Sequence, residues 1–146
     1  MESVANELNL LLRGIDMAVE AYEFYIGKVE DANLKSELQK IQKDHKNHAS
    51  IVAERIQNLG HKPQYGTGVA GFFANTKNTL QKMADNEDTD ILKQAYEGED
   101  KGVAMAEELV KGDLDSESAV IARKVLSEDK EHLVRMKELM ENNQIC

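Results

Sequence analysis

Apolar residues recur along this chain at alternating spacings of three and four, the pattern that marks the buried face of a packed helix. The first such stripe covers Val4–Val29, and Glu30–Asn33 then interrupts it with residues that favour helix caps. A second stripe follows at once over Leu34–Leu59 and ends at Gly60, a candidate left-handed cap. Because the link between the two stripes is so short, we expect the first two helices to lie antiparallel as neighbours.

The second half of the chain repeats this plan after a long connection. Gly60–Asp90 contains the glycine-rich run GTGVAGFF, and we predict a short extra helix after it at Phe72–Met83. Further stripes at Leu92–Val110 and Ala122–Leu139 predict the third and fourth long helices. Two short links and one long crossover are typical of ferritin-like proteins. We therefore predict an all-α, ferritin-like antiparallel four-helix bundle, with residues 1–146 forming one domain.

Five ionisable residues occupy stripe positions in the last three helices, where a core residue is expected. They are His45, His48, Glu99, Asp129 and His132. Aligning the second pair of helices on the first places Glu99 over Ala18, and the run D-K-E-H over the run H-K-N-H. We therefore expect the five side chains to converge on one buried layer across the bundle.

The chemistry that fits such a layer is metal coordination, because imidazoles and carboxylates without thiolates suit iron, manganese or zinc. Di-iron carboxylate bundles take a lone Glu and a Glu-x-x-His pair from each half. The second half matches this pattern with Asp in place of the paired Glu, whereas Ala18 and His45 replace both carboxylates of the first half. The pattern predicts one transition-metal ion or an asymmetric pair. The predicted ligands are His45, His48, Glu99, Asp129 and His132.

A metal-free layer is the alternative interpretation of the same residues. Buried charges are tolerated when they are paired, so protonated histidines can neutralise Glu99 and Asp129 without an ion. The bundle would then be a structural or interaction protein.

Other polar residues near the layer are predicted to lie outside it. Glu20 and Glu23 are rotated away from the stripe of the first helix at about 100° per residue, and Asp44 is similarly displaced on the second. We expect all three on the solvated face. Tyr22 is predicted to be a core aromatic residue, one turn from Ala18 and within reach of a hydrogen bond to the layer.

Composition limits the partners. The net charge of the 146 residues is -9, which argues against nucleic acid and anionic membranes as partners. No apolar run approaches the roughly 20 residues that span a bilayer, and Met1–Arg13 lacks the features of a signal peptide. The single cysteine, Cys146, has no partner for an internal disulfide. We expect a cytoplasmic protein, with homodimer formation through Phe72 and Phe73 of the extra helix as a further hypothesis.

Several motifs resemble a known family. The run AYEFYIGKVEDANLKSELQKIQKDHKNHA is similar to rubrerythrin-type ferritin-like proteins. The segments NHASIVAERIQNLGHKP, GVAGFF and DTDILKQAYEGEDKG resemble more closely a bacterial ferritin-like family, domain of unknown function 2383. This resemblance covers nearly the whole chain and implies the four-helix bundle and a stress-associated or iron-related role, with no established reaction. The rubrerythrin resemblance implies oxidase or peroxidase chemistry as a third hypothesis. It extends to His48, Glu99, Asp129 and His132.

Overall fold

A computed structural model describes residues 2–66 and 87–142 of the chain. The helices are α1 at Glu2–Lys28, α2 at Ala32–Asn58, α3 at Asp88–Lys111 and α4 at Ser116–Asn142. α1 packs against α2 and α3, and α4 packs against the same two helices. The predicted all-α four-helix bundle is confirmed. The extra helix predicted at Phe72–Met83 lies outside the described residues, as does Cys146, so the homodimer hypothesis stays a prediction.

The turn between α1 and α2 is fixed by two aspartates. The Asp31 carboxylate accepts a hydrogen bond from the Leu34 amide at 2.7 Å, which caps the start of α2 and stabilises it by about 1 kcal/mol. The Asp88 carboxylate, at the start of α3, accepts from the backbone amides of Glu30 and Asp31 at 2.9 Å each. α3 therefore begins against the turn that joins the first two helices.

The end of α2 has the left-handed glycine cap that the sequence predicts at Gly60. Gly60 adopts a φ of 82°, in the left-handed region that glycine tolerates best. The His61 amide donates to the Ile56 carbonyl at 3.1 Å, and the Gly60 amide donates to the Gln57 carbonyl at 2.9 Å. These two bonds form a Schellman motif, which satisfies carbonyls at the helix end that have no partner within the helix.

The turn between α3 and α4 is anchored to α2. α3 ends at Lys111, and Asp115 caps α4 by accepting from the Ser118 amide at 3.3 Å. Arg55 of α2 donates to the Asp115 carboxylate at 2.6 Å and to the Ser118 hydroxyl at 3.0 Å. These bonds hold the start of α4 against α2.

Two apolar clusters fill the bundle, one towards each end. The first includes Tyr22, Tyr25, Leu38, Ile91, Leu92 and Met136. The second includes Leu8, Leu12, Val52, Ile56, Leu109 and Val125. The predicted polar layer lies between the two clusters. No described helix combines the length and the apolar character that crossing a membrane requires.

Candidate metal centre

The five predicted site residues lie in the interior of the bundle. None of them has more than 6% of its surface exposed. His45 and His48 come from α2, Glu99 from α3, and Asp129 and His132 from α4. A ligand atom from each of His45, Glu99, Asp129 and His132 lies within 4.8 Å of the others. His48 lies next to this group, with its Nδ1 3.8 Å from Oδ1 of Asp129.

Glu99 is the centre of the hydrogen-bond network. Its Oε1 accepts from the Tyr22 hydroxyl at 2.6 Å and from Nε2 of His45 at 2.9 Å, and its Oε2 accepts from Nδ1 of His132 at 2.9 Å. Burial raises the pKa of Glu99, but the hydrogen bonds from His132 and His45 outweigh burial and hold that pKa well below its usual range. Glu99 is therefore an ionised carboxylate in the core. The predicted contact of Tyr22 with the layer is present.

His132 lies between two carboxylates. Its Nδ1 donates to Glu99, and its Nε2 donates to Asp44 at 2.8 Å. Burial lowers the pKa of His132, but Asp129, Glu99 and Asp44 together raise it to about 10. In this environment the imidazole is protonated at neutral pH.

The prediction that Asp44 stays away from the layer was wrong. About half of its side chain is exposed, as expected, yet its carboxylate reaches Nε2 of His132. Asp44 precedes His45 on α2, so it is rotated by about 100° towards the helix edge. α4 packs along that edge, and the outer nitrogen of His132 faces it. Glu20 and Glu23 are exposed, as predicted.

Glu128 is a site residue that the sequence did not indicate. Its Oε1 accepts from Nε2 of His48 at 2.8 Å, and one third of its side chain is exposed. Glu128 precedes Asp129, just as Asp44 precedes His45, and both residues lie beside the stripe rather than on it. A carboxylate one residue before a predicted ligand was the signal that could have revealed both.

Asp129 has an oxygen with no hydrogen-bond partner. Its buried Oδ1 lies 3.8 Å from Nδ1 of His45, 3.8 Å from Nδ1 of His48 and 3.5 Å from Nδ1 of His132. Nδ1 of His45 and Nδ1 of His48 are also buried without a partner. Buried polar atoms are normally hydrogen-bonded, so three unpaired atoms, two of them 3.8 Å from the third, require a specific explanation.

A cavity of about 600 Å³ opens between α1 and α3 and reaches the layer. Small residues form much of its wall, including Gly14, Ala18, Ala21, Ala95, Gly98 and Gly102. Its polar end is formed by His45, Glu99 and Asp129. From the sequence, Ala18 was recognised only as a position that lacks a ligand carboxylate, whereas in the structure it forms part of the wall of this cavity.

Comparisons with known proteins agree with this architecture. The family described as Domain of unknown function (DUF2383) matches residues 3–112. A comparison with curated proteins finds no match. Among solved structures, the chain is similar to a dodecameric thioferritin, the bacterioferritin-related protein from Bacteroides fragilis. The TM-score is 0.79 and the identity 20%, over 98% of this chain and 87% of that one.

A second similar structure is a ferritin-like, diiron-carboxylate protein from Bacillus anthracis. The TM-score is 0.74 and the identity 20%, over 95% of this chain and 96% of that one. Such low identities establish the fold alone, which is ferritin-like. The fold and the buried cluster are compatible with metal binding.

Proposed function

Because the chain belongs to the family described as Domain of unknown function (DUF2383) and has a ferritin-like fold, we propose that its buried layer binds one transition-metal ion. Iron, manganese and zinc suit the imidazole and carboxylate groups present. The centre consists of His45, His48, Glu99, Asp129 and His132. The diiron-carboxylate description of the Bacillus anthracis protein supports iron as the first metal to test.

The unpaired Oδ1 of Asp129 is the observation that carries this proposal. Burying a polar atom without a partner costs roughly 1–3 kcal/mol, and here two unpaired nitrogens lie 3.8 Å from the unpaired Oδ1. Two ligand atoms of one zinc ion lie at most about 4.2 Å apart, given zinc–ligand bonds of about 2.1 Å. The distances of 3.8 Å from Oδ1 of Asp129 to Nδ1 of His45 and to Nδ1 of His48 fall within that limit.

Metal analysis of purified, untagged protein tests the proposal. The protein is stripped with a chelator, incubated separately with ferrous iron, manganese and zinc, and freed of excess metal. We expect about one ion per chain for at least one of these metals. Asp129→Asn should lose the ion, whereas Glu131→Gln, an exposed change on the same helix, should retain it. A folded wild-type chain that retains none of the three metals would overturn the proposal.

A metal-free polar layer is the second candidate, and the hydrogen bonds of Glu99 favour it. Glu99 is already paired with protonated His132, so that pair is neutral without an ion. The bundle would then serve as a structural or interaction protein. The same metal analysis separates the two candidates, because this one predicts no stoichiometric ion. Cytoplasmic location stays a prediction.

A further inference from the structure

We infer that three atoms hold the ion: Nδ1 of His45, Nδ1 of His48 and Oδ1 of Asp129. Glu99 and His132 then lie outside the coordination sphere, and Glu128 is a positioning residue that orients His48. This inference rests on the proposed metal binding and assigns the roles of the residues around the ion.

The hydrogen bond of His45 fixes which of its nitrogens is free. Oε1 of the Glu99 carboxylate has no proton to donate, so Nε2 of His45 must supply the hydrogen in their 2.9 Å bond. In a neutral imidazole the other nitrogen, Nδ1, then carries a lone pair. That Nδ1 is buried without a partner and lies 3.8 Å from Oδ1 of Asp129.

The same reasoning applies to His48. Its Nε2 donates to the Glu128 carboxylate at 2.8 Å, which leaves a lone pair on the buried, unpaired Nδ1. Nδ1 of His48 also lies 3.8 Å from Oδ1 of Asp129. Oδ1 of Asp129 therefore has a nitrogen lone pair 3.8 Å away on each of two imidazoles, and a cation bound to these three atoms would relieve the repulsion among their lone pairs. Carboxylates behind the imidazoles are the usual support of histidine ligands in metal sites.

His132 and Glu99 are already bonded to each other and to neighbouring side chains. Both nitrogens of His132 donate to carboxylates, at 2.9 Å to Glu99 and 2.8 Å to Asp44. Both oxygens of Glu99 already accept hydrogen bonds from Tyr22, His45 and His132. These two residues therefore form a charged pair beside the ion.

Three protein ligands leave a position for an exogenous group, as in zinc sites that exchange a ligand. His45 and Asp129 both line the cavity between α1 and α3, where Ala18 leaves space. That position is therefore within reach of water or a small anion entering from the cavity.

Nuclear magnetic resonance of ¹⁵N-labelled histidine rings tests the assignment directly, since the chain contains only four histidines. In the metal-free protein, His45 and His48 should carry their protons on Nε2. Zinc should then shift the Nδ1 signals of these two residues and leave His132 doubly protonated. Coordination of zinc by either nitrogen of His132 would overturn the inference.

Substitutions at Glu128 provide the second arm. Glu128→Ala should weaken zinc binding by about 10- to 100-fold, the usual effect of losing such a support. His48 should then be able to carry its proton on either ring nitrogen. Glu131→Ala removes the same charge from an exposed position of α4 and should leave zinc affinity unchanged. Because Glu128 is partly exposed, its variant is expected to fold, which its circular dichroism spectrum and melting temperature would verify.

The comparison of His48→Gln with His132→Gln completes the test. The first should abolish stoichiometric zinc binding, whereas the second should weaken it by no more than about 10- to 100-fold, the usual effect of losing a residue outside the coordination sphere. If wild-type protein binds no zinc, iron or manganese, the proposed function fails. If wild-type protein binds zinc, but Glu128→Ala binds as tightly and His132→Gln does not bind, only the present inference fails.

Discussion

The two helical hairpins of the bundle bring opposite chemistry to one layer. The α1–α2 half supplies His45 and His48, and the α3–α4 half supplies Glu99 and Asp129 together with His132. Both imidazoles of the first half bond to carboxylates of the second. Related positions have therefore become complementary rather than equivalent, and complementary halves favour one asymmetric site over two similar ones.

The two halves also differ at Ala18 and Glu99, which occupy equivalent positions when the second pair of helices is aligned on the first. Glu99 extends into the layer and accepts three hydrogen bonds. Ala18 has no polar side chain, and the space beside it belongs to the cavity between α1 and α3. Where the second half has the carboxylate of Glu99, the first half therefore has the open space of the cavity.

Restoring the carboxylates of the first half should have the largest effect. Ala18→Glu combined with His45→Glu recreates the ligand pattern of di-iron bundles, in which carboxylates from both halves hold two ions. We expect more iron per chain and ferrous oxidation well above background, whereas wild-type protein should oxidise iron no faster than background. Stopped-flow absorbance after mixing ferrous-loaded protein with oxygen measures the rate.

A matched control for that variant is Gly27→Glu, which adds a carboxylate to α1 at a position with open space around it. It should leave iron content and oxidation unchanged. Rapid, saturable oxidation by the wild-type chain would show that the asymmetry of the halves does not limit the chemistry. The oxidase hypothesis would then take first place.

Removing the charge of Glu99 should destabilise the metal-free bundle. Glu99→Gln deprives His45 and His132 of an ionised partner, which should lower the free energy of unfolding by roughly 1–3 kcal/mol. Denaturant unfolding in the presence of a chelator measures the change. Asp100→Asn, an exposed neighbour on α3, serves as the control and should have little effect. Equal midpoints for Glu99→Gln and wild type would mean that Glu99 is not a structural partner of the imidazoles.

The helical stripes allowed prediction of the four helices and of the burial of all five layer residues, because period and burial are coupled in a bundle. Asp44 and Glu128 were not predicted as partners, since each lies one residue off its stripe. Side chains at a helix edge reach a neighbouring helix only where the two pack closely. The cavity beside Ala18 could not be predicted from the sequence either, because its size depends on the distance between α1 and α3.

The pH dependence of stability should reflect His132 in the metal-free protein. Its pKa is raised from 6.5 to about 10 in the folded state, so its stabilising contribution is complete below about pH 6.5 and is lost as pH rises through 10. Wild-type protein should therefore lose stability between about pH 7 and pH 10, and His132→Gln should lose less. Unfolding free energies of both proteins, measured across that interval with a chelator present, test this prediction. Parallel curves for the two proteins would contradict this role of His132.

Glu99 should act at the acidic end. Its pKa is lowered from the ordinary value of 4.5, so its contribution is complete above about pH 4.5 and is lost as pH falls towards the lowered pKa. The stability gap between wild type and Glu99→Gln should therefore narrow in acid. Unfolding curves at about pH 6 and pH 3 measure this gap, and a gap that stays constant would exclude an ionised Glu99 as its source.

The smallest predicted effects concern the walls of the cavity, where the two halves face each other. An added Cβ at Gly102 of α3 meets no atom within 4 Å, so Gly102→Ala should stabilise the bundle by about 0.5–1 kcal/mol through helix propensity. An added Cβ at Gly14 of α1 would collide with Cε of Met105, which must move aside. Gly14→Ala should therefore gain less than Gly102→Ala in thermal unfolding. The reverse order would mean that α3, not α1, is the closely packed wall.

The most direct test of the central claim is anomalous diffraction from crystals of the zinc-loaded protein. The account predicts one strong peak per chain at the zinc edge, about 2 Å from Nδ1 of His45, Nδ1 of His48 and Oδ1 of Asp129. Zinc found only at exposed carboxylates, with the buried layer unchanged and free of anomalous density, would contradict it.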